Sequence, residues 1–322
     1  MTVAISCGEP AGIGPEIVSA AWKHLRSKIP MLWIGDPLHL PADLPTVQVH
    51  EAQDAAALSE NALPMLALDM APPRTPGTPV AAHAKGVIEA IEIGAKLAKS
   101  GACTALCTSP IHKQALAEGA GFRFPGHTEF LCELDNKDHV VMMLACPELR
   151  VVPTTIHIPI SDVPKHFTAE LLERTILQTV SALKTEFGIR TPRISVAGLN
   201  PHAGEGGRMG REELEVMLPV IERLRSEGLS INGPLSADTM FHPIARKSYD
   251  AAICAYHDQA LIPIKTLDFS GGVNITLGLD FVRTSPDHGT AFDIAGKGLA
   301  DPTSMIAAIE MAWEMGNNRQ TR

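Results

Sequence analysis

Short runs of consecutive apolar residues alternate along the chain with longer segments whose apolar positions recur at helical spacing. Val3–Ser6 reads as a buried strand. Pro15 opens a helix through about Arg26, because a fixed φ and a missing N–H suit a first helical turn. Met31–Ile34, Val47–His50 and Met65–Leu68 read as further strands. His83–Ser100 is a long helix with Val87, Ile88, Ile91, Ala95 and Leu97 on one face and Gly101 as its stop. Ala102–Cys107 is a strand that ends in the turn Thr108-Ser109-Pro110. In the second half, Val140–Ala145, Val151–His157, Ile194–Leu199 and Ala251–Tyr256 have strand character. Thr168–Phe187, Arg211–Ser226 and Pro302–Met315 have helical periodicity, the first two stopped by Gly188 and Gly228. This alternation predicts an α/β fold: a mainly parallel sheet with helices on both faces. No internal repeat interrupts it, and the Pro-rich stretch Ala71–Pro79 reads as a surface loop.

Composition narrows the class. The chain has 322 residues, 45% hydrophobic and 20% charged, enough for a large core in one big domain or two lobes. A net charge of −9 argues against nucleic acid as a partner, while leaving room for a few local cations around a small anion. No apolar run approaches the roughly 20 residues of a membrane span. The opening Met1–Cys7 lacks the basic start of a signal peptide, so a cytoplasmic location is expected, without membrane association. The six cysteines include no C-x-x-C pair and read as free thiols of a reducing compartment.

Five polar clusters sit where strands end, the usual place for ligands in open α/β sheets. Gly8–Glu16 follows a strand and opens a helix, but the third glycine of a dinucleotide fingerprint would fall on Ile17; a tight turn and a ligand contact both remain open. Pro125-Gly126-His127-Thr128-Glu129 reads as a helix start with Thr128 as cap and free N–H groups that attract anions. His157, His202 and His257 each end an apolar strand, and three histidines with an open position can hold a catalytic metal. Gly204–Glu213 is glycine-rich and leads into a helix, as a mobile loop or a plain connection. Asp287–Gly298 sets His and Asp among small residues, which suits close approach of a planar ligand. Before it come Lys265, Asn274 and Arg283, whose cations suit a phosphate or carboxylate.

Taken together, these stretches resemble the 4-hydroxythreonine-4-phosphate dehydrogenase family of vitamin B6 synthesis over nearly the whole chain. The resemblance rests on Gly8-Glu9-Pro10-Ala11-Gly12-Ile13-Gly14-Pro15-Glu16, Pro110-Ile111-His112-Lys113 and Phe124-Pro125-Gly126-His127-Thr128-Glu129-Phe130. It continues through Leu199-Asn200-Pro201-His202-Ala203-Gly204-Glu205, Ser236-Ala237-Asp238-Thr239 and Tyr256-His257-Asp258-Gln259. It implies a two-lobed α/β/α fold like that of isopropylmalate and isocitrate dehydrogenases, with the active site in the cleft between lobes. The lobes are expected at 1–126 with 273–322, on the cofactor side, and at 127–272, on the metal, substrate and dimer side.

The resemblance further implies one divalent ion per subunit (zinc, magnesium or cobalt) held by His157, His202 and His257. It implies substrate contacts from His127, Thr128, Lys265, Asn274 and Arg283, and catalytic roles for Asp238, Asp258 and Lys265. The stretch Asp287, His288, Gly289, Thr290, Ala291 and Asp293 is similar to the adenosine-side loop of the distant relatives, so NAD or NADP is expected there. A homodimer with shared active sites is implied. The implied reaction oxidises 4-phosphooxy-L-threonine, a small phosphorylated hydroxy amino acid, to 2-amino-3-oxo-4-phosphooxybutanoate, which loses CO2 to give 3-amino-2-oxopropyl phosphate. A divalent ion and cations suit both steps, by easing loss of the hydroxyl proton and by stabilising the enolate left by CO2. The runner-up is a related dehydrogenase acting on a threonate or erythronate phosphate or an aromatic cis-diol carboxylate; a non-catalytic metabolite-binding protein is a more distant alternative.

Overall fold

The computed structural model describes residues 1–321, and the chain divides into two compact units. The first comprises Met1–Val140 and the chain from Leu279 onward; the second is Val141–Gly278.

The chain begins with β1 (Val3–Ser6), α1 (Gly14–Leu25), β2 (Met31–Gly35), β3 (Thr46–Gln48), α2 (Ala55–Leu58), β4 (Leu63–Ala67) and α3 (Ala84–Lys99). It continues with β5 (Ala105–Thr108), α4 (Lys113–Ala120) and α5 (His127–Leu134). The second unit holds β6 (Val141–Cys146), β7 (Leu149–Thr155), α6 (Val163–His166), α7 (Ala169–Thr185), β8 (Arg193–Ala197), α8 (Leu218–Ser226), β9 (Ser230–Leu235), α9 (Pro243–Arg246), β10 (Ala251–Tyr256), α10 (His257–Leu267) and β11 (Val273–Leu277). The chain then returns to the first unit with β12 (Arg283–Pro286) and α11 (Thr303–Gln320).

In the first unit the strands run β3-β4-β2-β1-β5-β12, all parallel. β1 and β2 are buried along their whole length, which is why they read as continuous apolar runs rather than alternating ones. Trp22 and Trp33 are fully buried in this core, where each large side chain contributes roughly 1.5–3 kcal/mol. The Trp22 Nε1 donates to the Ser59 carbonyl at 2.8 Å, so its polar atom is satisfied.

In the second unit the order is β11-β6-β7-β10-β8-β9. β7, β10, β8 and β9 are parallel, whereas β6 runs antiparallel to both β7 and β11. The expected mainly parallel sheet therefore carries an antiparallel ribbon, made by the tight Pro147-Glu148 connection between β6 and β7.

The unit boundaries differ from the lobes expected from sequence. α5 stays with the first unit because Phe130 packs on Phe122 and Phe124 at ring separations of 5.2 Å. β11 stays with the second because all five of its residues pair with β6. His127 and Thr128 thus belong to the first unit and Asn274 to the second, the reverse of the expectation. Arg322, which closes the expected first lobe, lies outside the described residues. The expected helix over 211–226 is also interrupted: Glu213–Met217 is a π-helical turn, and α8 begins only beyond it, with Pro219 in its first turn. All six cysteines are free, five buried and Cys132 half-buried. Among the described residues no helix is long and apolar enough to cross a membrane.

Candidate functional site

The second unit gathers its histidines through strand order. β7, β10 and β8 are adjacent and parallel, with Thr155 opposite Tyr256 and Val196 opposite Ile253. His157 stands two residues past β7, His257 opens α10 at the end of β10, and His202 follows β8. All three therefore lie beyond the carboxyl ends of neighbouring strands. The rings of His157 and His257 are 5.7 Å apart and border a cavity of about 330 Å³, whose lining also includes Thr155, Ile156, Tyr256 and Asp258. The strand ends are clamped together by Gln259. Its Oε1 accepts the Ala255 N–H at 2.7 Å, and its Nε2 donates to the Gly198 carbonyl at 2.8 Å.

Two of these histidines have unusual backbones. His157 has φ +54°, and His202 begins a left-handed run at φ +53°. Such conformations are disfavoured for a residue with a Cβ and collect at functional sites. His257 Nδ1 lies 2.7 Å from the Asp258 carboxylate. An ionised carboxylate only accepts, so Nδ1 donates in this pair, and the neutral form of the ring then has its lone pair on Nε2. This is the arrangement of a metal-binding histidine oriented by a carboxylate. The donor chemistry thus fits a divalent ion, although among the described residues no three His, Cys, Asp or Glu side chains are gathered closely enough to ligate one. His202 stands exposed on its turn.

The other residues expected in this unit are dispersed. Asp238 is exposed in the turn after β9 and accepts the Ser236 hydroxyl at 2.6 Å. Lys265 lies in the last turn of α10, its Nζ 5.3 Å from the Phe269 ring centre. Asn274 is the second residue of β11, opposite Leu144.

The first unit holds a cationic corner. Arg283 opens β12, is 3% exposed, and donates from Nη2 to the buried Thr108 hydroxyl at 2.7 Å. Burial pulls its guanidinium down to about 10, against Cys107 and Glu129, so it remains a cation at neutral pH. His127 is the first residue of α5. Burial, then the charges of Arg283 and Lys113, hold its imidazole well below the ordinary range, so it is neutral. Its Nε2 is sequestered with no hydrogen-bond partner. A buried cation beside an unsatisfied imidazole at a helix start has the chemistry to receive an anionic oxygen. Thr128 does not cap α5: the cap position is Gly126, with no side-chain bond, because the helix starts two residues earlier than expected.

The stretch 287–293 is held from behind. Asp287 N–H donates to Ser304 Oγ at 3.0 Å, and the Thr290 carbonyl accepts the Ile13 N–H at 3.0 Å. The Phe292 ring meets His112 edge-on at 5.0 Å, and Ala291 has φ +45°. His288 Nδ1 lies 3.0 Å from the Gly289 carbonyl, and Asp293 is exposed. A Cβ placed on Gly289 would meet nothing within 4 Å, so this backbone faces open space. The glycine loop 8–14 has the opposite character. It is buried throughout, Glu9 Oε1 accepts the Ala11 N–H at 3.0 Å, and a Cβ on Gly12 would stand 2.8 Å from the Thr290 carbonyl. Its glycines serve close packing, Gly12 beneath Thr290 and Gly8 and Gly14 against Ser109, which favours the structural turn among the alternatives its sequence leaves open. Sequence reading passed over Thr108, Gln259 and Glu213 as individual residues; the only signal was that each lies within or beside a quoted motif.

The model of the family described as pyridoxal phosphate biosynthetic protein PdxA matches residues 17–312. A protein of Ruegeria sp. named 4-hydroxythreonine-4-phosphate dehydrogenase is 57% identical over 318 residues, covering 99% of this chain and 98% of that protein. A crystal structure of a 4-hydroxythreonine-4-phosphate dehydrogenase from Burkholderia phymatum superposes with TM-score 0.86 at 38% identity, over 98% of both chains. A terephthalate 1,2-cis-dihydrodiol dehydrogenase from Burkholderia xenovorans reaches 0.69 at 28% identity over 98% of both chains, so the runner-up reading is not favoured. At 15% identity, an isocitrate dehydrogenase from Methylococcus capsulatus shares the fold alone, with TM-score 0.50 over 99% of this chain and 87% of that one. Both the matched span and the identity place this chain in the PdxA family of 4-hydroxythreonine-4-phosphate dehydrogenases, oxidoreductases of pyridoxal phosphate biosynthesis.

Proposed function

We propose that this chain oxidises the secondary alcohol of 4-phosphooxy-L-threonine with NAD or NADP, and that the 3-oxo acid so formed loses CO2 to give 3-amino-2-oxopropyl phosphate. The observation that carries this reading is the buried cationic corner. Arg283, with neutral His127 and nearby Lys113, suits a phosphate or carboxylate better than a neutral alcohol. In this reading Arg283 bonds an anionic oxygen while held by Thr108, and His127 directs its sequestered Nε2 at the same group. Asn274 and Thr128 add neutral contacts to the substrate, and Lys265 supplies a second cation. Fixing the remote charged group aligns the reacting carbon, so the phosphate contributes to turnover as well as to affinity.

His157, His202 and His257 would hold a divalent ion, whose chemistry when bound is to acidify the alcohol and stabilise negative charge on the neighbouring oxygen. Asp258 holds the His257 ring in the tautomer with Nε2 free. Asp238 and Asp258, both exposed carboxylates, are the candidates to receive the alcohol proton, with Lys265 a further catalytic candidate. The stretch 287–293 is the nucleotide platform: His288, Gly289, Thr290 and Ala291 present backbone and small side chains, with Asp287 and Asp293 flanking. The active form in this reading is a cytoplasmic homodimer with shared active sites, an expectation that rests on the family resemblance.

The test compares 4-phosphooxy-threonine with 4-hydroxythreonine, following reduced nucleotide and CO2 together. The expected result is that loss of the phosphate lowers kcat as well as raising KM. Equal turnover of the two alcohols would overturn the phosphate assignment, and nucleotide reduction without CO2 would remove the decarboxylation.

A further inference from the structure

The turn that carries His202 is backbone of an improbable kind. Five consecutive residues, His202 to Gly206, have φ between +41° and +75°, and three of them, His202, Ala203 and Glu205, carry a Cβ. Each such residue costs roughly 1–2 kcal/mol in a left-handed conformation, so the run needs external support. Backbone bonds brace it, from the Ala203 N–H to the Asn200 carbonyl and from the Met209 N–H to the Gly204 carbonyl, both at 3.1 Å, and a buried side chain fixes Asn200, where the turn begins. Glu213 is 2% exposed, and its Oε1 accepts the Asn200 N–H at 2.7 Å while its Oε2 accepts Asn200 Nδ2 at 3.0 Å. The same Asn200 Nδ2 also donates to Glu212 Oε2 at 2.7 Å. Backbone closes around the carboxylate. A Cβ on Gly204 would lie 2.6 Å from Glu213 Oε2, and one on Gly198 would lie 3.3 Å from Oε1. Glu213 also begins the π-helical turn, the kind of local insertion that re-aims a side chain within a helix. Among the described residues no cation pairs with it, so its charge is met by N–H groups alone.

We infer that Glu213 is a positioning residue: its buried carboxylate holds the left-handed turn and thereby sets the backbone from which His202 serves the metal. This rests on the proposed metal role of His202. A carboxylate suits the task because it accepts from both Asn200 donors at once, whereas an amide would turn one N–H against another.

The test uses the full chain stripped of metal and titrated with Co2+, whose visible absorption reports its ligand set. Glu213→Gln, Asn200→Ala and His202→Ala are compared with the parent, and thermal unfolding of each metal-free protein is recorded alongside. Loss of a residue that orients a metal ligand weakens binding by about 10–100-fold. That loss, with an altered Co2+ spectrum, is expected for Glu213→Gln, and a smaller loss for Asn200→Ala, which keeps the carboxylate and one of its bonds. If only His202→Ala weakens Co2+ binding, and the other two merely lower the unfolding temperature, Glu213 is structural and the inference falls while the metal reading stands. If His202→Ala binds Co2+ like the parent, the metal reading fails and takes this inference with it. Should Glu213→Gln not fold, Asn200→Ala decides between the same outcomes.

Discussion

Replacing Gly289 with valine separates a ligand effect from a folding effect. A Cβ at this position meets no atom within 4 Å, and the backbone lies outside the left-handed region, so the folded protein accommodates the side chain without strain. Stability should change by no more than about 0.5 kcal/mol, the usual range for a surface site. If the nucleotide lies along residues 287–293, the isopropyl group occupies its space. Overpacking of a fitted contact costs about 1–3 kcal/mol, which is roughly a 5- to 150-fold rise in KM for NAD or NADP. Gly12→Ala is the internal control. Its Cβ would be forced to 2.8 Å from the Thr290 carbonyl and 3.1 Å from Thr290 Cβ, so the loop must shift and the Ile13 N–H bond to Thr290 is lost. That variant should lose about 2–4 kcal/mol of stability by overpacking and hydrogen-bond loss as well as raise the nucleotide KM. Initial rates with each nucleotide at saturating alcohol, and urea unfolding of both variants, make the comparison. A Gly289→Val protein with parental nucleotide KM would refute the platform, and a rise confined to the alcohol's KM would reassign this stretch to the substrate.

If Arg283 holds the phosphate, Arg283→Met should raise KM for the phosphorylated alcohol by roughly 10- to 150-fold, the value of one charge-assisted contact, and leave the unphosphorylated alcohol nearly unaffected; equal effects on both would refute the phosphate contact and leave Arg283 a carboxylate ligand or a structural residue. Burial holds the His39 imidazole near 4, against an ordinary 6.5, so between those values the unfolded chain binds the extra proton. Stability should therefore be whole above pH 6.5 and fall towards pH 4 by about 1.4 kcal/mol per unit, ~3 kcal/mol in all; urea unfolding across this range should show a shallower fall for His39→Gln, and parallel curves would contradict it. Single alanine replacements of His157, His202 and His257 should each lower bound zinc or cobalt by elemental analysis, together with activity; unchanged metal in all three would remove the assignment.

The parts of this protein that were legible in sequence are those set by periodicity and by proximity along the chain. β1, β2 and α3 declare themselves because burial on both faces, or along one stripe, leaves an unbroken signature. The histidines at the ends of β7 and β10 were legible because each apolar run stops at its polar residue. Left-handed backbone leaves no such trace: nothing in the residues of Pro201–Gly207 distinguishes a left-handed turn from a flexible glycine loop. The role of Glu213 depends on Asn200, which precedes it by a whole loop, and charge patterning gives no sign that a carboxylate beside two arginines is buried and bonded to an amide. α10 was hidden by Pro263 in its interior, which propensity alone would read as a break. The boundary at α5 was missed because the ring packing that fixes it involves Phe122 and Phe124, residues that carry no helical period.

The first unit is written in two pieces, and this matters while the chain is being made. β12 borders β5 in the finished sheet, yet it is translated only after the whole second unit. At about 5–20 residues per second, a ribosome needs on the order of ten seconds to cross that interval. Throughout it, Ala105–Thr108, fully buried once folding is complete, is a bare strand edge with unpaired backbone groups. The nascent protein is thus most adhesive midway through synthesis, and a message truncated before Arg283 would leave that edge permanently open to other chains. Chaperone demand should accordingly track translation of the second unit, while the finished protein, its edge covered by β12, has no such requirement.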